Sequence, residues 1–173
     1  MIHPIKHFLT ISKHKAIVFI LCVKAGIPLR GVLHDLSKYS PTEFLAGAKY
    51  YQGNRSPNEM EREAFGYSKA WIHHKGRNKH HFEYWKDYNF KTRVEEPVLM
   101  PIKFVKEMFC DRVAASKIYL KDKYNNSAPL EYFLKGKPTR IIHPESSNQL
   151  EEWLVMLKQK GENETFKYIK NIK

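Results

Sequence analysis

Cysteine is scarce in this chain. Only Cys22 and Cys110 occur among 173 residues, far apart and each in apolar surroundings. There is no CxxC, so neither a disulfide framework nor a thiolate zinc site finds the residues it needs. Both thiols read as buried and reduced, the pattern of a cytoplasmic protein. Long hydrophobic runs are lacking too. The most apolar stretch, AIVFILCV (Ala16 to Val23), is closed by Lys24, well short of the roughly twenty residues a membrane span requires. No small-residue cleavage site follows it, which argues against a signal peptide. It reads as a buried helix, and no membrane partner is expected. A Walker A loop, a GxGxxG fingerprint, HExxH and GxSxG are all absent, so the common nucleotide-binding, zinc-protease and serine-hydrolase readings lose local support.

Acids are the other shortage: 18 Asp and Glu stand against 30 Lys and Arg, for a net charge of +12. That balance favours anionic partners such as nucleotides or nucleic acid without choosing between them. What is present is globular. Apolar residues make up 42% and aromatics 13%, enough for a chain of this length to bury roughly two thirds of its unfolded surface. One domain over residues 1–173 is expected, with a core over 5–125 and a helical extension over 126–173.

The apolar spacing is helical throughout. Phe8, Ile11, Val18, Leu21 and Cys22 predict a long first helix, with Gly26 past its end and Pro28 restarting a short one, PLRGVLHDLSKY. Ser40, Pro41 and Glu43 have the order of a capping box opening a third helix. SPNEMEREAFGYSKAWIHHK predicts one helix broken at Gly76, and KHHFEYWKDYN a short helix or turn. Met100, Phe104, Met108, Val113 and Ile118 mark a second long helix with Pro101 in its first turn. Ser146 or Ser147 is the expected cap of the last one. No segment alternates with period two; TRII is too brief to build a sheet. The fold class expected is all-α, a compact helical bundle.

Nine histidines are many for this length. His3, His7 and His143 read as non-ligands. His14 lies on the first helix, and His34-Asp35 twenty residues on. The pairs His73-His74 and His80-His81 share the segment WIHHKGRNKHHFEYW. Asp111 is flanked by Phe109, Cys110, Val113 and Ala114. A buried carboxylate needs a partner, because an unpaired charge there costs several kcal/mol. Arg112 is adjacent, but neighbouring helical residues do not face each other. A metal ion is the sharper partner. The bland reading of the paired histidines is a solvated basic patch with Lys75, Arg77 and Lys79.

The order His14, His34-Asp35, Asp111 resembles the HD-domain superfamily of metal-dependent phosphohydrolases. There a histidine on one helix, an HD doublet on the next and a distant aspartate converge inside a helical bundle. The contexts HKAIVFILCVKAGIPLRGVLHDLSK and FCDRVAASK match along with the residues, over about residues 10–120. HDLSKYSPTEF together with HHKGRNKHHFEYW looks like a smaller, uncharacterised HD-like family of bacterial and phage proteins. The resemblance implies one or two divalent transition ions, Mn, Fe, Co, Ni or Zn, held first by His14, His34, Asp35 and Asp111. His74 with His80 or His81 would serve a second ion, with Asp35 as bridge, although the superfamily usually spaces these histidines more widely. It implies hydrolysis of a nucleotide or related small phosphate ester, with a metal-bound hydroxide as nucleophile. Lys38 would then reach phosphate and Glu43 would orient or deprotonate water. Lys75, Arg77, Asn78 and Lys117 are the candidates for substrate contact. Two other readings stand beside this one: a di-iron oxygenase on the same fold, and a basic helical module that binds nucleic acid without catalysis.

Overall fold

The computed structural model describes residues 2–172. Helix α1 (Pro4–Lys24) starts with Pro4 in its first turn, where the missing N–H loses nothing. It ends at Ala25, and Gly26 takes the left-handed conformation (φ 78°) that lets the chain reverse. Its inward face is His7, Ile11, His14, Val18, Leu21 and Cys22. Phe8, expected on that face, is half exposed. AIVFILCV is buried on one side only, because Phe19, Ile20 and Val23 point outward.

Helix α2 (Pro28–Leu33) is shorter than the sequence suggests. The helix breaks at His34, Asp35 adopts φ 53°, and Leu36–Tyr39 forms a 3₁₀ turn. Helix α3 (Pro41–Lys49) begins without the expected capping box: the Ser40 hydroxyl caps nothing, and Glu43 turns instead to two imidazoles. The single helix expected over residues 56–75 is two. Gly66, at φ 77°, ends α4 (Pro57–Phe65), and the Ser68 hydroxyl accepts from the Trp71 N–H to open α5 (Lys69–Lys75). Gly76 follows as that helix's C-cap, as expected.

The segment expected as a helix or turn gives a 3₁₀ turn, Phe82–Tyr84, and then a hairpin. Strands β1 (Lys86–Asn89) and β2 (Val94–Pro97) pair antiparallel with Tyr88 opposite Glu95. This corrects the expectation of no sheet. Helix α6 (Ile102–Leu120) follows, then α7 (Ala128–Gly136) and α8 (Pro144–Asn171), which kinks at Gly161. The cap of α8 is His143, whose Nδ1 accepts from the Glu145 N–H. Ser146 instead accepts from the Met100 N–H, tying α8 to the entry of α6.

The fold is mostly α, with eight α-helices and one two-stranded sheet among the described residues. One hydrophobic cluster joins α1, α6, α7 and α8. It takes Val18 and Cys22 from α1, Phe109 and Val113 from α6, Phe133 from α7, and Trp153, Leu154 and Leu157 from α8, with the Phe109 ring edge-on to Trp153 and Phe166. The segment expected as an extension therefore supplies part of the same core. Among the described residues no helix is long and apolar enough to cross a membrane.

Candidate metal centre

Four elements bring their polar residues to one point. His14 lies on the inward face of α1, and its Nε2 is 2.9 Å from Oδ1 of Asp111 on α6. The break after α2 sets both residues of the doublet inward. In a continuous helix adjacent side chains diverge by about 100°; the left-handed Asp35 removes that constraint. His34 Nε2 then stands 3.2 Å from Asp35 Oδ2 and 3.6 Å from Asp111 Oδ1. The ligand atoms of His14, His34, Asp35 and Asp111 all lie within 4.8 Å of one another.

A second group shares Asp35. The last turn of α5 carries His74, and the irregular chain after Gly76 carries His80 and His81. Asp35 Oδ1 is 3.3 Å from His74 Nε2 and 3.4 Å from His80 Nε2. His81 Nε2 is 2.9 Å from His74 Nε2. Asp35, His74, His80 and His81 again offer ligand atoms within 4.8 Å. One oxygen of Asp35 thus faces each group.

Many of these atoms lack hydrogen bonds. His14 Nε2, His34 Nε2, His80 Nε2 and both oxygens of Asp35 are buried and make none, despite neighbours at ion-pair distance. Short separations without hydrogen-bond geometry mean that lone pairs aim at shared space rather than at one another. Each buried unsatisfied polar atom costs about 1–3 kcal/mol. A cation held among them relieves the whole set, so the residues fit a metal ion.

Two buried acids brace the imidazoles from behind. Glu107 Oε1 accepts from His34 Nδ1 at 3.0 Å and lies 3.2 Å from His80 Nδ1; its Oε2 accepts from Arg30 Nε at 2.7 Å. Glu43 accepts from His73 Nδ1 at 2.6 Å and from His74 Nδ1 at 2.7 Å. Carboxylates in this position fix the tautomer and turn Nε2 of His34 and His74 toward the centre. Asn78 lies beside His74, with its amide donating to Ser37 Oγ and to the His74 carbonyl.

The electrostatics follow from burial against close charge. Burial opposes ionisation of Asp35, yet His34, Lys38 and His74 hold its carboxyl well below the usual range. Asp111 is likewise resisted by burial and held far down by His14 and His34. Burial also opposes charge on Glu107, but His34, His80 and Arg30 draw it to about 2. His14 is lowered by burial, although Asp111 pulls the other way. His81 is driven well below its ordinary value by burial and by His80 and His74. For His34 burial is outweighed by Asp35, Asp111 and Glu107, which raise it. Lys38 stays charged: burial is overcome by Asp35, whose Oδ2 is 2.6 Å from Nζ.

A family model matches residues 3–156: the Family of unknown function (DUF5662). The chain belongs to that family. No curated protein and no solved structure matches it. All the candidate ligands lie within the family's matched region.

The structure brings together His14, His34, Asp35, Asp111, His74, His80 and His81, including both members of a pair from which only one was expected. His73 turns to Glu43 instead. Glu43 has both oxygens engaged by imidazoles, those of His73 and His74. Lys117 points away and pairs with Glu162 on α8. Arg77 is exposed, with its guanidinium on the His73 carbonyl. Lys75 is half-buried at the end of α5. Sequence reasoning missed Glu107. Its signal was available: it sits four residues before Asp111, hence on the same helical face, and next to Met108 and Phe109.

Proposed function

We propose that this chain is a metal-dependent phosphohydrolase acting on a nucleotide or a related small phosphate ester. The observation that carries the reading is the division of Asp35, with Oδ2 toward His34 and Oδ1 toward His74 and His80. One carboxylate shared by two ligand groups is what a pair of ions requires. Five imidazoles and two carboxylates suit Mn, Fe, Co, Ni or Zn. Two divalent ions would outweigh Asp35 and Asp111 and leave positive charge facing a phosphate. Such ions supply Lewis acidity toward a phosphoryl oxygen and lower the pKa of water.

The chain's own groups do the rest. Glu107 and Glu43 hold His34 and His74 in the tautomer that presents Nε2. Lys38 is partly exposed and can donate to a substrate oxygen as charge develops there. Asp111 is also partly exposed, so the centre opens to solvent on the side shared by Asp111 and Lys38. The histidine-rich group around His74, His80 and His81 suits iron as well, and that donor set favours a di-iron oxygenase as the second reading.

Purified protein loaded with each ion in turn, assayed on a panel of nucleotides and phosphate monoesters, tests the proposal. Turnover is expected, with Asp35→Asn slowing it about a hundredfold or more. Oxygen uptake by the Fe(II) form with no phosphoester turnover would replace hydrolysis by oxygenation. Nucleic-acid binding that falls steeply with salt and ignores His34 and Asp35 substitutions, again without turnover, would sink both.

A further inference from the structure

We infer that the outer face of α1 and α2 docks flat on an anionic lipid bilayer. Helix α1 is apolar on both sides. Its inner side packs in the core, while its outer side carries Ile5, Phe8, Leu9, Phe19, Ile20 and Val23, all exposed, with Ile5 at 75% and Leu9 at 61%. These positions recur at steps that keep them on one stripe of a 3.6-residue helix, with Ser12 and Ala16 filling the gap. The short second helix and the 3₁₀ turn extend the surface with exposed Leu29, Val32, Leu33 and Leu36. The 3₁₀ turn reaches the stripe through the Tyr39 ring, edge-on to Phe8, and so many exposed apolar side chains on one face mark an interaction site.

Charge decides the occupant. The first forty residues contain one acid, Asp35, and it is buried in the metal centre. Lys6 and Lys13, seven residues apart and therefore on one edge of the stripe, are exposed. A second copy would bring the same lysines and no acid to meet them. The stripe also offers almost nothing that hydrogen-bonds, whereas protein interfaces carry about one hydrogen bond per 100–200 Å². An apolar stripe edged by lysines suits the headgroup boundary of a bilayer, where side chains such as Phe and Leu enter the acyl region and lysines reach lipid phosphates. A helix lying in that plane needs no spanning length. The surface is independent of the proposed chemistry, since it uses the face of α1 opposite His14.

Flotation of the full chain with vesicles of phosphatidylglycerol and phosphatidylcholine, against phosphatidylcholine alone, tests this. The chain is expected to float with the anionic vesicles. Joint substitution Leu9→Ser and Ile20→Ser removes exposed groups, so near-UV circular dichroism should be unchanged while vesicle affinity falls about tenfold or more. Lys6→Glu with Lys13→Glu should also weaken it about tenfold, and Lys158→Glu on α8 should not. Failure to float, or flotation that survives the Leu9 and Ile20 substitutions, overturns the inference. So does sedimentation showing a dimer that those two substitutions dissolve, because the face then belongs to a second copy.

Discussion

Asp35 combines a left-handed backbone, full burial and two oxygens without hydrogen bonds. Non-glycine residues hold that conformation at a cost of order 1–3 kcal/mol, and such strain clusters at functional sites. Its partners are set by the acids behind them. Glu107→Gln keeps the shape of the side chain but weakens its hold on His34 and His80; metal affinity measured by calorimetry should fall about 10- to 100-fold. His7 gives a separate prediction. It packs so closely on Gly47 that a β-carbon there would lie 2.1 Å from Nε2. Burial, with Lys38 nearby, lowers its pKa to about 4, against about 6.5 in the unfolded chain. Below about 6.5 the unfolded state takes up a proton that the folded state refuses, so stability is lost as pH falls toward 4 and is unaffected above 6.5. Urea midpoints should therefore fall less between about pH 7 and about pH 5 in His7→Gln than in the unsubstituted protein. At this scale Asp111 was legible because a carboxylate in an apolar helix demands a partner, and the doublet through its resemblance to the HD pattern. Glu107 belongs to no motif and went unmarked, although its place one turn before Asp111 puts it on the same face. Its neighbour Lys106 faces away, to the Ile172 carbonyl.

The elements differ in how openly they announce themselves. Helices α1 and α6 show their periodicity over five turns, and Gly26 and Pro28 mark the junction between α1 and α2. The hairpin has no such signal: KDYN and VEEP are four residues each, with mixed chemistry and little burial, so no period of two emerges. The breaks at His34 and after Gly76 were equally hidden, and they decide which histidines turn inward. Gly31 shows why α2 sits where it does. A β-carbon added there would fall 3.0 Å from the Phe19 Cα and 2.9 Å from the Cys22 Cβ, so α2 lies directly on α1. Gly31→Ala should lower unfolding free energy by about 1–3 kcal/mol. It should also weaken metal binding, since His34 and Asp35 follow it by one helical turn. Thermal melts with and without metal check both effects.

At the scale of the molecule, the core is one cluster to which both ends of the chain contribute. The expected extension over residues 126–173 lies beyond the stretch that carries the HD resemblance, and all the candidate ligands precede it. Long-range packing was the part no local pattern carried: Leu150, Trp153, Leu154, Leu157 and Ile169 are wholly buried. At about 1.5–3 kcal/mol each, their loss is comparable with the whole stability of an ordinary domain, about 5–15 kcal/mol. A chain ending at residue 143 should lack near-UV circular dichroism and bind no metal stoichiometrically. Elemental analysis of protein purified without chelator reads out the carboxylate shared between the two ligand groups. About two transition-metal ions per chain are expected, falling to about one or none in Asp35→Asn with the fold intact. A protein that carries no transition metal, or an Asp35→Asn variant that keeps the full complement, would contradict it.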